Sequence, residues 1–171
     1  PVEYKLTGLT QVQVHRKAGL GFPAALRAVL RQDPDVIMVG ELRDRETVEI
    51  ALAAALTGHL VLSTLHTNDA ASAPSRLHEM GAPAYLVAGG VIGVLAQRLA
   101  RRLCVHCRAQ RTARAEDLVM LGLPPRDVQV FAPVGCIRCD GTGYRGRVGI
   151  YELMPVTDKL RRQIAQRGSE A

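Results

Sequence analysis

Two Cys-x-x-Cys pairs constrain this chain more than any other feature of its sequence. Cys104 and Cys107 form the first pair, Cys136 and Cys139 form the second, and 28 residues separate the two pairs. A two-residue loop lets both thiolates of a pair reach one ion, so two such knuckles complete a tetrahedral zinc site with four sulfur ligands. Because a closed shell leaves no position for water, we expect the zinc to be structural. Disulfides or a redox-active pair are the alternatives. His106 inside the first knuckle could in principle replace a thiolate, but four cysteines already satisfy the ion.

Upstream of the cysteines, helical and strand patterns alternate. The segment FPAALRAVLRQ, residues 22–32, has a proline in its first turn and apolar residues at helical spacing, which predicts a helix. A short run of branched apolar residues follows at 36–39 and predicts a strand buried on both faces of a parallel sheet. Asp44 is placed to cap a second helix that ends at Gly58, and residues 60–65 predict another buried strand. This alternation is typical of an α/β fold with parallel strands and right-handed crossovers.

The remainder of the chain divides at the cysteines. Residues 69–80 and a longer segment from Pro83 to about Leu103 predict helices. The composition then becomes rich in Arg, Pro and Gly, with little periodicity. We therefore predict three parts: an α/β core at 1–103, a small zinc-binding subdomain at 104–144, and a strand and helix at 145–171 that complete the domain.

Basic residues outnumber acidic ones in this chain. Its 22 Lys and Arg against 16 Asp and Glu give a formal charge of +6, and most of the cations are Arg. Because the guanidinium group suits bidentate contacts with phosphate, nucleic acid, lipid headgroups and nucleotides are all plausible partners. A solvated basic surface without a partner is the simpler alternative.

The first residue and the hydropathy of the chain indicate whether it is a fragment and whether it crosses a membrane. The chain begins at Pro1 without an initiator Met and without a secretory signal, so we expect a fragment of a longer protein with reduced thiols. Its longest apolar stretch, 84–96, is interrupted by glycines and is shorter than the roughly 18 residues that a membrane helix needs. We therefore expect a soluble chain.

Two polar side chains follow the predicted strands. Glu41 comes just after the strand at 36–39, and His66 comes just after the strand at 60–65. The carboxyl ends of parallel strands lie at one edge of a sheet, where such folds bind their ligands. A carboxylate there can orient and deprotonate a water molecule, and an imidazole beside it can stabilise a terminal phosphate. A solvated or structural role is the alternative for each residue taken alone.

Phosphate-binding motifs are either absent from the sequence or misleading. No segment fits G-x-x-x-x-G-K-[ST], whose backbone amides and Lys hold the phosphates in P-loop enzymes. Residues 141–146 fit the dinucleotide fingerprint G-x-G-x-x-G, but they follow a cysteine knuckle and no helical pattern opens after them. We interpret these glycines as turns around the second cysteine pair.

Longer strings of the sequence resemble one protein family. RQDPDVIMVGELRD at 31–44 is similar to the Walker B region, and LTGHLVLSTLHTNDA at 56–70 to the histidine box, of the ATPases of type II secretion and type IV pilus assembly. GLTQVQV, LAQRLARRLC and GYRGRVGIYEL extend the resemblance over nearly the whole chain. The resemblance implies part of a RecA-like P-loop ATPase core whose phosphate-binding loop lies upstream of Pro1. Alone, the 171 residues are then expected to have little ATPase activity.

The resemblance also implies roles for individual residues. Glu41 is the expected catalytic glutamate, and Gly40 precedes it where many P-loop enzymes have Asp, which implies indirect contact with Mg²⁺. His66 is expected to approach the terminal phosphate of ATP. Weaker candidates for the nucleotide site, or for ion pairs or arginine fingers at a subunit interface, are Glu3, His59, Arg27, Arg31 and Arg43. The tetracysteine element resembles that of the secretion and pilus-extension members, whereas the retraction motors lack it.

Two functional hypotheses from different classes follow. The first is a motor ATPase for type II secretion, type IV pilus assembly or DNA uptake, whose implied partners are identical subunits in a hexameric ring and an inner membrane platform protein. It is expected to be cytoplasmic, peripheral to the inner membrane, and without a nucleic acid partner. The second is a zinc-knuckle module that contacts nucleic acid, which the positive charge favours but the single aromatic residue near the second pair, Tyr144, disfavours. A purely structural or regulatory piece is a third interpretation of the isolated chain.

Overall fold

The computed structural model describes residues 2–166, apart from the side chain of Arg16. Contacts divide the chain into two compact units, one of residues 1–96 with 152–171 and one of residues 97–151. The fold is mixed α/β, with six α-helices and six strands among the described residues. None of these helices has both the length and the apolar character that crossing a membrane requires.

The first unit begins with the alternation of helices and strands that the sequence predicts. The strands pair in parallel, with Val36 opposite Leu60 and Val39 opposite Ser63. The predicted parallel pair is therefore confirmed. The elements in chain order are α1 (Phe22–Leu30), β1 (Val36–Val39), α2 (Arg45–Leu56) and β2 (Leu60–Ser63).

Asp44 fixes the start of α2 by capping it. Its carboxylate accepts hydrogen bonds from the backbone N–H of Thr47 at 2.8 Å and from the Thr47 hydroxyl at 2.9 Å. Thr47 is fully buried, so the carboxylate also satisfies a hydroxyl that water does not reach. The helix ends at Leu56 with Thr57 as its C-cap, and Gly58 follows at a φ of +102° that side chains disfavour. Both ends of the predicted helix are confirmed.

The β1–β2 sheet is covered on one face. Ile37 is buried in a cluster with Leu26 of α1 and Ala51 of α2. Val36 and Met38, at the alternate positions of β1, are 56% and 66% exposed. The prediction that this strand is buried on both faces is therefore wrong. The prediction of a buried strand at 60–65 is wrong as well, because β2 ends at Ser63 and its Leu60 and Leu62 are 44% and 48% exposed. Successive side chains of a strand point to opposite faces, and both helices pack on the same face.

Three later helices pack with α2 in a second core cluster of the same unit. Val48 and Val87 have no exposed surface, so they mark the centre of this cluster. Its members include Val48 and Leu52 of α2, Leu77 of α3 (Ala73–Glu79), Val87 of α4 (Ala84–Gly90) and Ile164 of α6 (Asp158–Ala165).

The predicted helix from Pro83 to about Leu103 is wrong beyond its first turns. Helix α4 ends at Gly90, and residues 93–103 form strand β3, which pairs with β6 (Tyr144–Pro155). Gly90 packs so closely on α2 that a Cβ there would lie 3.2 Å from the carbonyl oxygen of Leu52. The strand pairs with a segment far along the chain, and local helical preference does not reveal such a partner. The strand and helix predicted after the second cysteine pair are present as β6 and α6.

The second unit contains the cysteines and more regular structure than the sequence suggests. Strand β4 (Ala109–Thr112) pairs antiparallel with β5 (Gln129–Ala132), and the short helix α5 (Ala115–Met120) lies between them in the chain. The unit runs from Gln97 to Tyr151. It therefore includes parts of β3 and β6 as well as the cysteine-containing segment.

Candidate functional site

The four cysteine sulfurs form a compact cluster in the second unit. Sγ of Cys104 lies 3.9 Å from Sγ of Cys136, and Sγ of Cys139 lies 3.8 Å from those of Cys107 and Cys136. All four sulfurs lie within 4.8 Å of one another. A tetrahedron of thiolates with bonds of about 2.3 Å to zinc has edges of about 3.8 Å, whereas the sulfurs of a disulfide are about 2.05 Å apart. The cluster therefore has the spacing of a metal site and not that of disulfides.

Backbone amides point at these sulfurs. The Gly135 N–H donates to Sγ of Cys107 at 3.3 Å, and the N–H groups of Cys136 and Gly143 each donate to Sγ of Cys139 at 3.2 Å. Burial raises the pKa of the Cys107 thiol to about 11, since its single N–H donor does not offset the loss of water. Burial also opposes ionisation of Cys139, but there the two N–H donors and the neighbouring thiols outweigh it and lower the pKa to about 6. These donors suit a cation that takes deprotonated sulfur ligands.

The structure addresses two alternatives raised by the sequence around the knuckles. The ring nitrogens of His106 lie 3.1 and 3.3 Å from Nη1 of Arg138, and the His106 side chain is exposed. The converging ligand atoms belong to the four cysteines, so His106 has no place among them. Residues 141–143 precede strand β6, residues 144–146 begin it, and no helix opens there, which removes the strand–turn–helix context of a dinucleotide site.

Glu41 and His66 meet at the carboxyl edge of the β1–β2 pair. Oε2 of Glu41 lies 3.9 Å from Nε2 of His66. The Leu42 N–H donates to the Thr64 carbonyl at 3.1 Å, and the Thr64 hydroxyl donates to the Gly40 carbonyl at 2.7 Å, so the two strand ends are joined directly. The Glu41 side chain is 13% exposed and that of His66 is 84% exposed. The structure therefore brings together the two side chains that the strand pattern predicts to be neighbours.

The three arginines noted in the sequence have different surroundings. Nε of Arg43 lies 2.5 Å from Oε2 of Glu41. Nη2 of Arg27 lies 2.5 Å from Oε1 of Glu46, which joins the exposed surfaces of α1 and α2. Arg31 is exposed immediately after α1. Of the three, Arg43 contacts the candidate catalytic carboxylate.

An open cleft of about 420 Å³ lies beside His66. The sequence analysis did not identify the residues that α3 contributes to this cleft, Ser75, Arg76 and Glu79. Nη1 of Arg76 lies 2.9 Å from Oε2 of Glu79, so these two side chains form an ion pair. The sequence does indicate that these residues lie near His66, because the helix predicted at 69–80 directly follows the His66 loop and so starts at the same edge of the sheet. The cleft is lined by His66, Thr67, Asn68, Ser72, Ser75, Arg76 and Glu79.

The structure does not join His59 or Glu3 to this edge. His59 precedes β2, whereas His66 follows it, and Nδ1 of His59 lies 2.9 Å from the carbonyl oxygen of Ala54 at the end of α2. Glu3 is exposed in the segment before α1. Among the described residues, no hydrogen bond or ion pair connects either of them to Glu41 or His66.

Charge is divided unevenly between the two units. Residues 97–151 contain ten Arg, no Lys and four acidic residues, and this accounts for the whole formal charge of +6. Two of the four carboxylates, Asp117 and Glu116, are paired with Arg111 and Arg114. The unit that holds the cysteines therefore carries the net positive charge of the chain.

Comparison with known protein sequences gives close relatives over the whole chain. A sequence model of the family described as "Type II/IV secretion system protein" matches residues 1–171. The type IV pilus assembly ATPase PilB of Thermus thermophilus is 54% identical over 167 residues, which are 96% of this chain and 19% of that protein. The type II secretion system protein E of Klebsiella pneumoniae is 51% identical over 164 residues, which are 96% of this chain and 33% of that protein. The chain thus spans a fifth to a third of the length of these curated relatives.

Solved structures give the same kind of match. The pilus retraction motor PilT with bound ADP has a TM-score of 0.56 and 32% identity, over 86% of this chain and 33% of that one. The ATPase DotB of Legionella pneumophila has a TM-score of 0.59 over 97% of this chain and 40% of that one. At 22% identity, the second match shows a likeness of fold alone.

Proposed function

Because this chain belongs to the type II/IV secretion system protein family, we propose that it is part of a motor ATPase that powers type II secretion or type IV pilus assembly. Relatives that are more than half identical to it carry the names of a pilus assembly ATPase and a type II secretion protein, which supports this role. The proposal concerns the full-length protein that includes this chain. Within it, the first unit is proposed to be part of a RecA-like core.

The observation that carries the proposal is the 3.9 Å approach of Glu41 and His66 at the carboxyl edge of two parallel strands. In the proposed reaction, the Glu41 carboxylate orients the attacking water and accepts its proton. His66 stabilises charge on the terminal phosphate. The low exposure of the Glu41 side chain suits this role, because its surroundings restrict the orientation of the carboxylate and fewer bulk water molecules reach it.

ATP and Mg²⁺ need further residues in this proposal. The chain has no G-x-x-x-x-G-K-[ST] segment, so we propose that a phosphate-binding loop outside these residues holds the nucleotide. Bound Mg²⁺ would neutralise the phosphate charge. We expect the 171 residues alone to have little ATP turnover for this reason.

We also propose that the four cysteines hold a structural Zn²⁺ ion. Sulfur spacings of 3.8–3.9 Å and N–H donors on two of the sulfurs support this assignment. With all four positions taken by sulfur, the ion has no site for water or substrate. Its contribution is to fold the second unit around the two knuckles.

The proposed partners are identical subunits in a hexameric ring and an inner membrane platform protein. Arg27 and Arg31 are exposed on and just after α1 and are candidates for contacts with a neighbouring subunit. The charge of +6 in residues 97–151 supports contact with an anionic surface of the platform or of the membrane. We accordingly propose a cytoplasmic location, peripheral to the inner membrane.

A nucleic acid-binding module is the alternative that this same charge favours. Stacking of bases would require free aromatic faces beside the arginines. In the second unit, the guanidinium of Arg101 lies 4.0 Å from the ring centre of Tyr144, and that of Arg108 lies 4.4 Å from that of Phe131. An arginine thus lies over one face of two of the three aromatic rings in this unit, the third being Tyr151. Because few free faces remain beside the arginines, we favour the motor ATPase.

Magnesium-dependent ATP turnover by a full-length protein that includes this chain tests the proposal. The matched variant is Glu41→Gln, which keeps the size of the side chain and removes the base. We expect turnover to fall roughly 10²-fold to 10⁴-fold, while nucleotide binding is retained. Equal turnover in the two proteins, or none in either, would overturn the assignment. Steeply salt-dependent DNA binding would then favour the alternative.

A further inference from the structure

The loop that carries His66 depends on its backbone for its position. The His66 side chain is 84% exposed, so packing does little to hold it. The loop lies between β2, which ends at Ser63, and α3, which begins at Ala73. The location of the imidazole therefore depends on the backbone of the loop, which is held by hydrogen bonds within it, such as that from the Thr67 N–H to the Leu65 carbonyl, and by contacts at its two ends.

One fixed point precedes His66. The Thr64 hydroxyl donates to the Gly40 carbonyl at 2.7 Å, and the Leu42 N–H donates to the Thr64 carbonyl at 3.1 Å. Both bonds join the start of the loop to the segment that carries Glu41. They fix one side of the Glu41–His66 approach.

The second fixed point follows His66 and comes from a distant part of the sequence. The Ala70 N–H donates to Oε2 of Glu152 at 3.1 Å, across 82 positions of the chain. Ala70 is fully buried. A buried amide needs an acceptor, and a carboxylate is a stronger acceptor than a neutral group. Glu152 therefore holds the loop four residues beyond His66.

We propose that Glu152 is a positioning residue for His66, acting through the Ala70 amide, an inference that rests on the proposed ATPase function. Glu152 contacts backbone and not a reacting group, so it has no direct part in the chemistry. Its effect is on the geometry of an imidazole that must meet a phosphate within hydrogen-bonding distance.

Hydrogen exchange in a full-length protein that includes this chain tests the structural half of the inference without any turnover measurement. In Glu152→Ala, the Ala70 amide loses its acceptor, and we expect exchange in the peptide covering residues 64–72 to accelerate roughly tenfold. Glu152→Gln keeps an acceptor oxygen and should exchange nearly as slowly as the unmodified protein. Glu49→Ala, which removes a half-buried carboxylate paired with Arg45, is the matched control. Unchanged exchange in Glu152→Ala would overturn the inference.

A double-mutant cycle tests the functional half. We expect Glu152→Ala to lower kcat roughly tenfold or more with little change in KM, and Glu152→Gln to restore most of the rate. In a His66→Ala background, Glu152→Ala should add little further loss, because both changes remove the same imidazole contribution. Losses that multiply, or a Glu152→Ala protein with full kcat, would overturn the inference while leaving the motor proposal intact. Full turnover in both Glu41→Gln and His66→Ala would instead count against the proposed function.

Discussion

Nε of Arg43 lies 2.5 Å from Oε2 of Glu41, and this same carboxylate oxygen faces Nε2 of His66 at 3.9 Å. One oxygen is therefore shared between a permanent cation and an imidazole. The Arg43 side chain is 56% exposed, so the pair adds little to stability. Its consequence is directional, because the guanidinium fixes which way the carboxylate points.

Replacing Arg43 should therefore impair turnover more than folding. We expect Arg43→Ala to lower ATP turnover of the full-length protein roughly tenfold, a smaller loss than Glu41→Gln causes, since the base remains but loses its restraint. Arg45→Ala is the matched control, because Arg45 also pairs through Nε with a glutamate, at 2.7 Å from Glu49. Steady-state kinetics of the two variants measures the difference. If Arg43→Ala and Arg45→Ala lose equal amounts of ATP turnover, Arg43 has no specific effect on Glu41 and the prediction fails.

Metal content should follow the cysteines. We expect one zinc ion per chain in the purified protein, and release of that ion by a strong chelator should destabilise the second unit. Cys104→Ser should lose most of the bound zinc, because one of the four sulfurs is removed. Val105→Ser changes an exposed neighbour in the same knuckle and should keep the metal. Full zinc content in Cys104→Ser, measured by a colorimetric chelator after unfolding, would contradict the site.

The parts of the fold that the sequence predicts are those with local causes. Asp44 precedes the helix that it caps, Gly58 follows the C-cap residue Thr57, and the apolar run of β1 lies in a short segment just before Asp44. The meeting of Glu41 and His66 follows from the same local evidence, since parallel neighbouring strands end at one edge. Local sequence patterns thus predict that Glu41 and His66 lie close together.

The parts that the sequence does not predict depend on distant partners. Residues 93–103 carry a pattern compatible with a helix, but they pair with β6 about fifty residues later. The contact between Ala70 and Glu152 spans 82 positions, and no feature of either residue alone indicates it. The exposure of one face of β1 is also not predictable from local sequence, because it depends on the side of the sheet against which α1 and α2 pack.

Gly143 should be far less tolerant of a side chain than Gly146. Both have left-handed backbones, with φ of +75° and +76°, so a substitution strains both equally. A Cβ on Gly143 would lie 2.5 Å from Cβ of Pro133, whereas on Gly146 it would meet no atom within 4 Å. We expect Gly143→Ala to cost about 1–3 kcal/mol more than Gly146→Ala. It should also weaken zinc retention, because relief of the clash would displace the backbone N–H that donates to Sγ of Cys139. Chemical unfolding with zinc detection compares them, and equal destabilisation would refute the packing argument.

The cap of α2 should contribute more than the cap of α6. Asp44 accepts from the Thr47 N–H at 2.8 Å and also satisfies the buried Thr47 hydroxyl, whereas Thr157 accepts from the Leu160 N–H at 3.4 Å at an exposed site. We expect Asp44→Ala to lower the free energy of unfolding by about 1–2 kcal/mol, and Thr157→Ala by less. Asp44→Asn keeps an acceptor oxygen and should recover most of the loss. Urea unfolding of the three variants measures these differences. Asp44 stands three residues after Glu41. If Asp44→Ala lowers ATP turnover under conditions in which the protein stays folded, the start of α2 also positions Glu41.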